Sequence, residues 1–263
     1  MRDTCDGLVI RECAYGENDR LVTVLTEKGQ SVMIAKGARS LKSKVMGVCR
    51  LFTYANFEYY ERNGMKWLSG GSVNDSFFGL NADIRGFALA SYIVQLAAEI
   101  TGEEVDASRT LRMTLNSLYA IENNLKPFEQ IKSAYEIFAA EESGFSPDLS
   151  ECLRCNSERV ESSWLDVMNG GLVCEDCMRA KGGAERVAAE GVDATMTSTV
   201  LVPMSAPAIA AWKYVSGAPL KRIFAFKVEG EELSTLARAS ETYIINHLER
   251  NFETLEFYHS IKE

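Results

Sequence analysis

Two closely spaced cysteine pairs, Cys152-Leu153-Arg154-Cys155 and Cys174-Glu175-Asp176-Cys177, constrain this chain more than any other feature. A Cys-x-x-Cys turn brings two sulfurs within reach of one ion, and two such turns can close a tetrahedral cage of thiolates. Between them, Asn169-Gly170-Gly171 suits the tip of a hairpin. The spacing predicts a zinc ribbon over residues 150–180. A pair of disulfides or two separate redox motifs are the alternative readings of the same cysteines. Four thiolates leave no coordination position open, so the expected zinc holds the fold together and performs no chemistry. Function must then come from the flanking sequence.

The chain has 263 residues, enough for two or three small domains. It contains no apolar run long enough to cross a membrane. The opening Met1–Asp6 lacks the apolar core of a signal peptide, and with a thiolate metal site this points to the cytoplasm. The remaining cysteines, Cys5, Cys13 and Cys49, are expected to be buried as small apolar side chains. A formal charge of −9 excludes a chain that is basic all over, but not a local basic face.

Residues 5–78 read as short strands: 7–15, 19–26, 31–36, a longer run at 48–61, and a return strand at 65–69 after the Asn63-Gly64 turn. Five antiparallel strands in this length predict a small closed barrel of the OB type. Beyond residue 80 the apolar spacing becomes helical, over 84–100, 106–125 and 128–143. The first of these is apolar on most sides and is expected to be the most buried. Residues 180–197 read as a connector, 203–216 as a helix opened by Pro203, and 231–251 as a long helix. The fold class expected is α+β: an N-terminal OB-fold barrel (1–80), then a helical domain (81–149 and 181–263) with an inserted four-cysteine zinc ribbon (150–180).

The placement of charge carries the functional signal. No acidic residue lies between Glu27 and Glu58, whereas Lys28, Lys36, Arg39, Lys42, Lys44 and Arg50 do. In Ala35-Lys36-Gly37-Ala38-Arg39-Ser40-Leu41-Lys42-Ser43-Lys44, cations recur every two or three residues among Gly and Ser. Such a loop can follow a phosphate backbone, with main-chain N–H groups and hydroxyls as additional donors. Phe52, Tyr54, Phe57, Tyr59 and Tyr60 are candidates for stacking on bases where they face outward. The competing reading is a solvated loop over an aromatic core. No phosphate-binding Gly-x-x-x-x-Gly-Lys loop, dinucleotide fingerprint or His-Glu-x-x-His motif is present. The two histidines, His247 and His259, lie near the end of the chain, and His247 falls on an apolar helix face. No enzymatic activity is expected. An adaptor that binds other proteins and an OB-fold RNA-binding factor are the alternatives, the first predicting no salt-dependent affinity for DNA.

Three stretches together resemble the bacterial RecO family of recombination mediators, in its zinc-containing branch. They are Gly7-Leu8-Val9-Ile10-Arg11 with Tyr15-Gly16-Glu17-Asn18-Asp19-Arg20-Leu21-Val22; Ala35-Lys36-Gly37-Ala38-Arg39 with Lys42-Ser43; and Leu220-Lys221-Arg222-Ile223-Phe224 with His247-Leu248-Glu249-Arg250-Asn251-Phe252-Glu253. The resemblance implies binding of single- and double-stranded DNA, annealing of complementary strands, and help in recombinase loading with RecR on strands coated by single-stranded DNA-binding protein, through that protein's C-terminal tail. It implies DNA contact by Lys36, Arg39, Lys42 and Lys44, with Arg20 in the Glu-Asn-Asp-Arg motif; Arg50 joins them on charge. The expected metal ligands are Cys152, Cys155, Cys174 and Cys177, and the expected location is the cytoplasm, at the nucleoid. Glu253, where the family commonly has a basic residue, and the overall acidity imply a weak, partner-assisted DNA binder.

Overall fold

The computed structural model describes residues 2–40, 42–158, 162–184 and 200–261. Most of the connector expected at 180–197 lies outside them. The chain forms two compact units, Met1–Phe128 with Phe252–Glu263, and Glu129–Asn251. They are not cut where composition changes.

In the first unit, strands β1 (Asp3–Tyr15), β2 (Asp19–Thr26), β3 (Gly29–Ala35), β4 (Tyr54–Arg62) and β5 (Met65–Asp75) close a barrel in the order β1-β2-β3-β5-β4. Closure is made where Met33, Ile34 and Ala35 run parallel to Lys66, Trp67 and Leu68. Inward positions carry Val9, Val22, Val24, Met33, Ala35, Ala55, Phe57 and Leu68, and Leu8, Ile10, Leu25 and Ile34 beside them are buried too, so parts of β1, β2 and β3 are covered on both faces. Asn63 and Gly64 both take left-handed backbone angles and turn β4 into β5, as their identities require. The run 48–61 is not one strand. Gly47–Cys49 forms a 3-10 turn and Phe52 takes φ 66°. The chain turns there because Val48, Cys49 and Phe52 are pulled inward, Phe52 against Phe87 with ring centroids 5.5 Å apart.

Helices α1 (Ile84–Ile100) and α2 (Ser108–Glu122) follow in the same unit. The β2–β3 turn is tied to them. The Ala107 N–H donates to the Glu27 carbonyl at 2.9 Å and the Gln30 N–H to the Gly102 carbonyl at 3.0 Å. The Gln30 side-chain amide donates to the carbonyls of Ala98 and Thr101, oxygens that the end of a helix leaves without partners.

Helix α3 (Phe128–Glu142) has every residue from Gln130 to Ala140 buried, more completely than α1. Polar residues break its apolar pattern in sequence, yet they are inside because each has a partner. The Gln130 amide donates to the Phe224 and Phe226 carbonyls at 2.9 and 2.8 Å, and Lys132 is paired with Glu136 and Glu241 at 2.8 and 2.6 Å. In the second unit, strands β6 (Asp148–Cys152), β7 (Ser162–Asp166) and β8 (Gly171–Cys174), helix α4 (Glu175–Ala184) and strand β9 (Leu201–Ser205) come next. The sheet order is β6-β8-β7-β9. The residues around Pro203 are therefore an edge strand, where a missing N–H is tolerated. Helix α5 (Ala206–Gly217) begins three residues later, its Ala208 N–H donating to the Ser205 hydroxyl. Helix α6 (Gly230–Leu248) ends at Glu249, which is left-handed at φ 49°. Helix α7 (Glu253–Ser260), not foreseen in the sequence, returns to the first unit against α1, with Tyr92 and Phe252 5.6 Å apart. No helix among the described residues is long and apolar enough to cross a membrane.

Candidate metal centre and basic loop

Cys152 ends β6, Cys155 closes the turn after it, Cys174 ends β8 and Cys177 lies in the first turn of α4. Their sulfurs all lie within 4.8 Å of one another. Four sulfurs at about 2.3 Å from a tetrahedral ion stand about 3.8 Å apart, and Cys155 Sγ and Cys174 Sγ are separated by 3.7 Å. The first turn is shaped by Asn156 in a left-handed conformation, its N–H donating to the Cys152 carbonyl at 2.9 Å. The N–H groups of Arg154 and Cys174 donate to Cys152 Sγ at 3.4 and 3.3 Å. Burial pushes the Cys152 thiol up, but these donors, with the Cys155 N–H, outweigh it and hold the group at about 6. Cys177, hydrogen-bonded to Cys155 and desolvated, is pushed up to about 12. A cation bound among the four sulfurs would favour their thiolate forms together. The donor set fits a metal ion, and the four cysteines named from spacing are the four the fold assembles.

The basic stretch is a built loop across one end of the barrel. Ala38, Val45, Val48 and Cys49 are buried in the barrel's core cluster. Lys36, Arg39, Lys42, Lys44 and Arg50 are all exposed. The buried apolar residues at its two ends, Ala38 on one side and Val45, Val48 and Cys49 on the other, fix which side of the loop meets solvent. Its first half is gripped by the β1–β2 turn: the Gly37 N–H donates to Asp19 Oδ1 at 2.7 Å, the Arg39 N–H to the Asn18 carbonyl at 3.0 Å, and Arg39 Nη1 to the Glu17 carbonyl at 3.0 Å. Its last residues join β1, where the Val9 N–H donates to the Thr53 carbonyl at 2.9 Å and the Phe52 N–H to the Val9 carbonyl at 3.0 Å.

Arg20 pairs with Ala35 at the base of the loop but differs from the loop cations in burial. It is half-buried and ion-paired with Glu12 across the β1–β2 hairpin. The pair lies by Cys49, whose thiol burial pushes up to about 12 despite the Arg20 charge. Cys49 is thus the inert buried thiol expected, Cys5 is half-buried, and Cys13 is exposed, because it falls on the outer face of β1. Of the aromatic candidates, Phe52 and Phe57 are buried and unavailable to bases; Tyr54 and Tyr59 are half-buried, and Tyr60 is exposed. His247 is positioned by its ring: Nε2 lies 2.9 Å from the Val167 carbonyl, and the ring stacks on Phe145 at 4.9 Å. Sequence reasoning missed Glu12 and Asp19. Both acids lie near Arg20 in the sequence, and only the hairpin pairing reveals what they hold.

Two family models match the chain: "Recombination protein O N terminal" over residues 1–77 and "Recombination protein O C terminal" over residues 81–256. Similar curated proteins carry the description "DNA repair protein RecO". One from Acetivibrio thermocellus is 28% identical and covers 95% of this chain and 94% of its own length. One from Roseiflexus is 28% identical, with 100% and 88% covered. One from Oceanobacillus iheyensis is 31% identical over 181 residues, with 67% and 68% covered.

Proposed function

The chain belongs to the RecO family, and on that premise we propose that it acts in DNA repair and homologous recombination as a mediator that binds single- and double-stranded DNA and anneals complementary strands. The observation that carries the reading to particular residues is the loop over the barrel end. Lys36, Arg39, Lys42, Lys44 and Arg50 are exposed while Ala38, Val45, Val48 and Cys49 of the same loop are buried as pegs. A cationic surface on a fixed main chain suits phosphate contact, and counterion release supplies the affinity. Arg20, its charge offset by Glu12, contributes less to phosphate contact than the exposed loop cations.

Annealing requires no bond chemistry. Two strands repel through their phosphates; a face that neutralises several of them lowers the repulsion while base pairs nucleate. The protein works without nucleotide hydrolysis and is not an enzyme. With RecR, and by contact with the C-terminal tail of single-stranded DNA-binding protein, it helps a recombinase onto coated strands, in the cytoplasm at the nucleoid. The barrel is the DNA-binding domain. The four-cysteine centre takes zinc, through Cys152, Cys155, Cys174 and Cys177; a closed set of four thiolates supplies folding energy rather than catalysis.

The test is annealing of two complementary oligonucleotides, one labelled, with no nucleotide present. Acceleration by the protein that falls as salt rises is expected. Duplex formation at the unassisted rate at low salt would sink the annealing role and favour the adaptor reading.

A further inference from the structure

Asp19 poses a problem of sign. It is a carboxylate beside a loop read as binding phosphate, where its charge is repulsive. Yet it is the acid that accepts the Gly37 N–H at 2.7 Å. Gly37 lies between Lys36 and Arg39 with φ 65°, and a Cβ on it would meet nothing within 4 Å. The position thus needs glycine for its backbone conformation and not for space. An amide of such a loop, left without an acceptor, is free to leave this conformation.

We propose that Asp19 is a positioning residue for nucleic-acid binding. Its carboxylate fixes the Gly37 amide, so that the main chain from which Lys36 and Arg39 extend is ordered before DNA arrives, and this gain exceeds the repulsion its charge adds. The proposal rests on the reading of the loop as the DNA-binding element. Two further bonds complete the grip, from the Arg39 N–H to the Asn18 carbonyl and from Arg39 Nη1 to the Glu17 carbonyl. Neither uses an acidic side chain. Glu17 contributes its main-chain oxygen, so its own carboxylate is an internal control. The bond to Glu17 engages one of the five guanidinium N–H donors, and a fork remains to face a phosphate. Ordering the loop during folding removes an entropy cost from the binding step.

Charge and positioning predict opposite outcomes. On charge alone, Asp19→Ala, Asp19→Asn and Glu17→Gln each remove one negative charge and each tighten binding. On the positioning account, Asn keeps an oxygen for Gly37. Asp19→Asn and Glu17→Gln then bind at least as well as the parent, while Asp19→Ala binds about tenfold more weakly, the effect of losing one charged hydrogen bond.

The experiment measures binding of a fluorescein-labelled single-stranded oligonucleotide to the full-length, zinc-loaded protein at one low salt concentration. The three variants are compared with the parent and with the double variant Lys36→Glu/Arg39→Glu, and each is melted. Weaker binding by Asp19→Ala, with a cooperative melt lowered by no more than about 2–4 °C, and both restored in Asp19→Asn, is the expected result. Asp19→Ala binding as tightly as the parent, or Asn and Ala losing affinity equally, overturns the positioning role while leaving the loop reading in place. Full binding by the double variant overturns the loop reading and the proposal with it. Amide exchange at Gly37 in the parent protein serves if Asp19→Ala does not fold. Protection is expected, and exchange at the rate of an unbonded loop amide overturns the proposal.

Discussion

At the residue scale, Lys36 and Arg39 can be reversed in charge at little structural cost. Both side chains are exposed, and Arg39 makes one side-chain bond, to a carbonyl. Lys36→Glu with Arg39→Glu should lower single-stranded DNA affinity by about tenfold or more, with circular dichroism and melting temperature nearly unchanged. Affinity equal to the parent's would remove the loop from the account. Gly29 behaves in the opposite way. Its φ is 88°, and a Cβ would stand 2.5 Å from the Gly102 carbonyl oxygen. Gly29→Ala should therefore destabilise the protein by about 2–3 kcal/mol. Gly64→Ala, strained only by its φ of 71° with open space around it, should cost about 1 kcal/mol. Equal melting temperatures for the two variants would contradict this. The four-cysteine cluster was legible in the sequence because the spacing that gathers it is local. The partnership of Arg20 with Glu12 was not, because a β-hairpin brings together side chains whose adjacency no local pattern records.

At the element scale, α3 illustrates a helix that apolar counting undervalues. Lys132, Glu136 and Gln130 are polar, and all three are inside. Burial lowers the Lys132 pKa, but Glu136 and Glu241 more than reverse this and hold it above its ordinary 10.5. A raised value means that the folded state holds the proton more tightly. The contribution to stability is therefore full below pH 10.5 and is lost as the pH rises through the folded value. Lys132→Met would leave the Glu136 carboxylate buried without its ammonium, and should cost about 3–5 kcal/mol. It should also flatten the alkaline loss of melting temperature; a variant as stable as the parent would contradict the pairing. Strand β9 was misread for a related reason. Pro203 suits a helix start as well as an edge strand, and the pairing with β7 that decides between them comes from residues far back in the chain. The four-cysteine centre belongs to this scale too. Chelation and removal of a bound ion should release amide protection across 148–158 and 162–180, since binding and folding are coupled there. The barrel, which holds none of the four cysteines, should keep its protection. Unchanged exchange over those residues would refute a structural ion.

At the scale of the whole molecule, a net charge of −9 coexists with a run from Lys28 to Phe57 that has no acidic residue. Binding through one cationic face should fall as salt rises, through the loss of counterion release, while screening of the repulsion from the rest of the acidic surface makes the fall shallower than the loop cations alone would give. The barrel was legible because alternation and the Asn63-Gly64 turn are local signals. The closed circuit β1-β2-β3-β5-β4 needed the structure, since the parallel contact of β3 with β5 joins strands separated by the loop itself. That loop was legible as a cationic stretch. Its conversion into a surface, with Ala38, Val45, Val48 and Cys49 as pegs, was not.

The most direct test of the central claim is the affinity of the full-length protein for a single-stranded oligonucleotide as salt is raised, measured beside a Lys36→Ala variant. The account predicts a linear fall of log affinity with log salt, with the slope reduced by about 0.7 in the variant, the share of one lost phosphate contact on a single strand. An affinity insensitive to salt, or a slope the variant leaves unchanged, would contradict it.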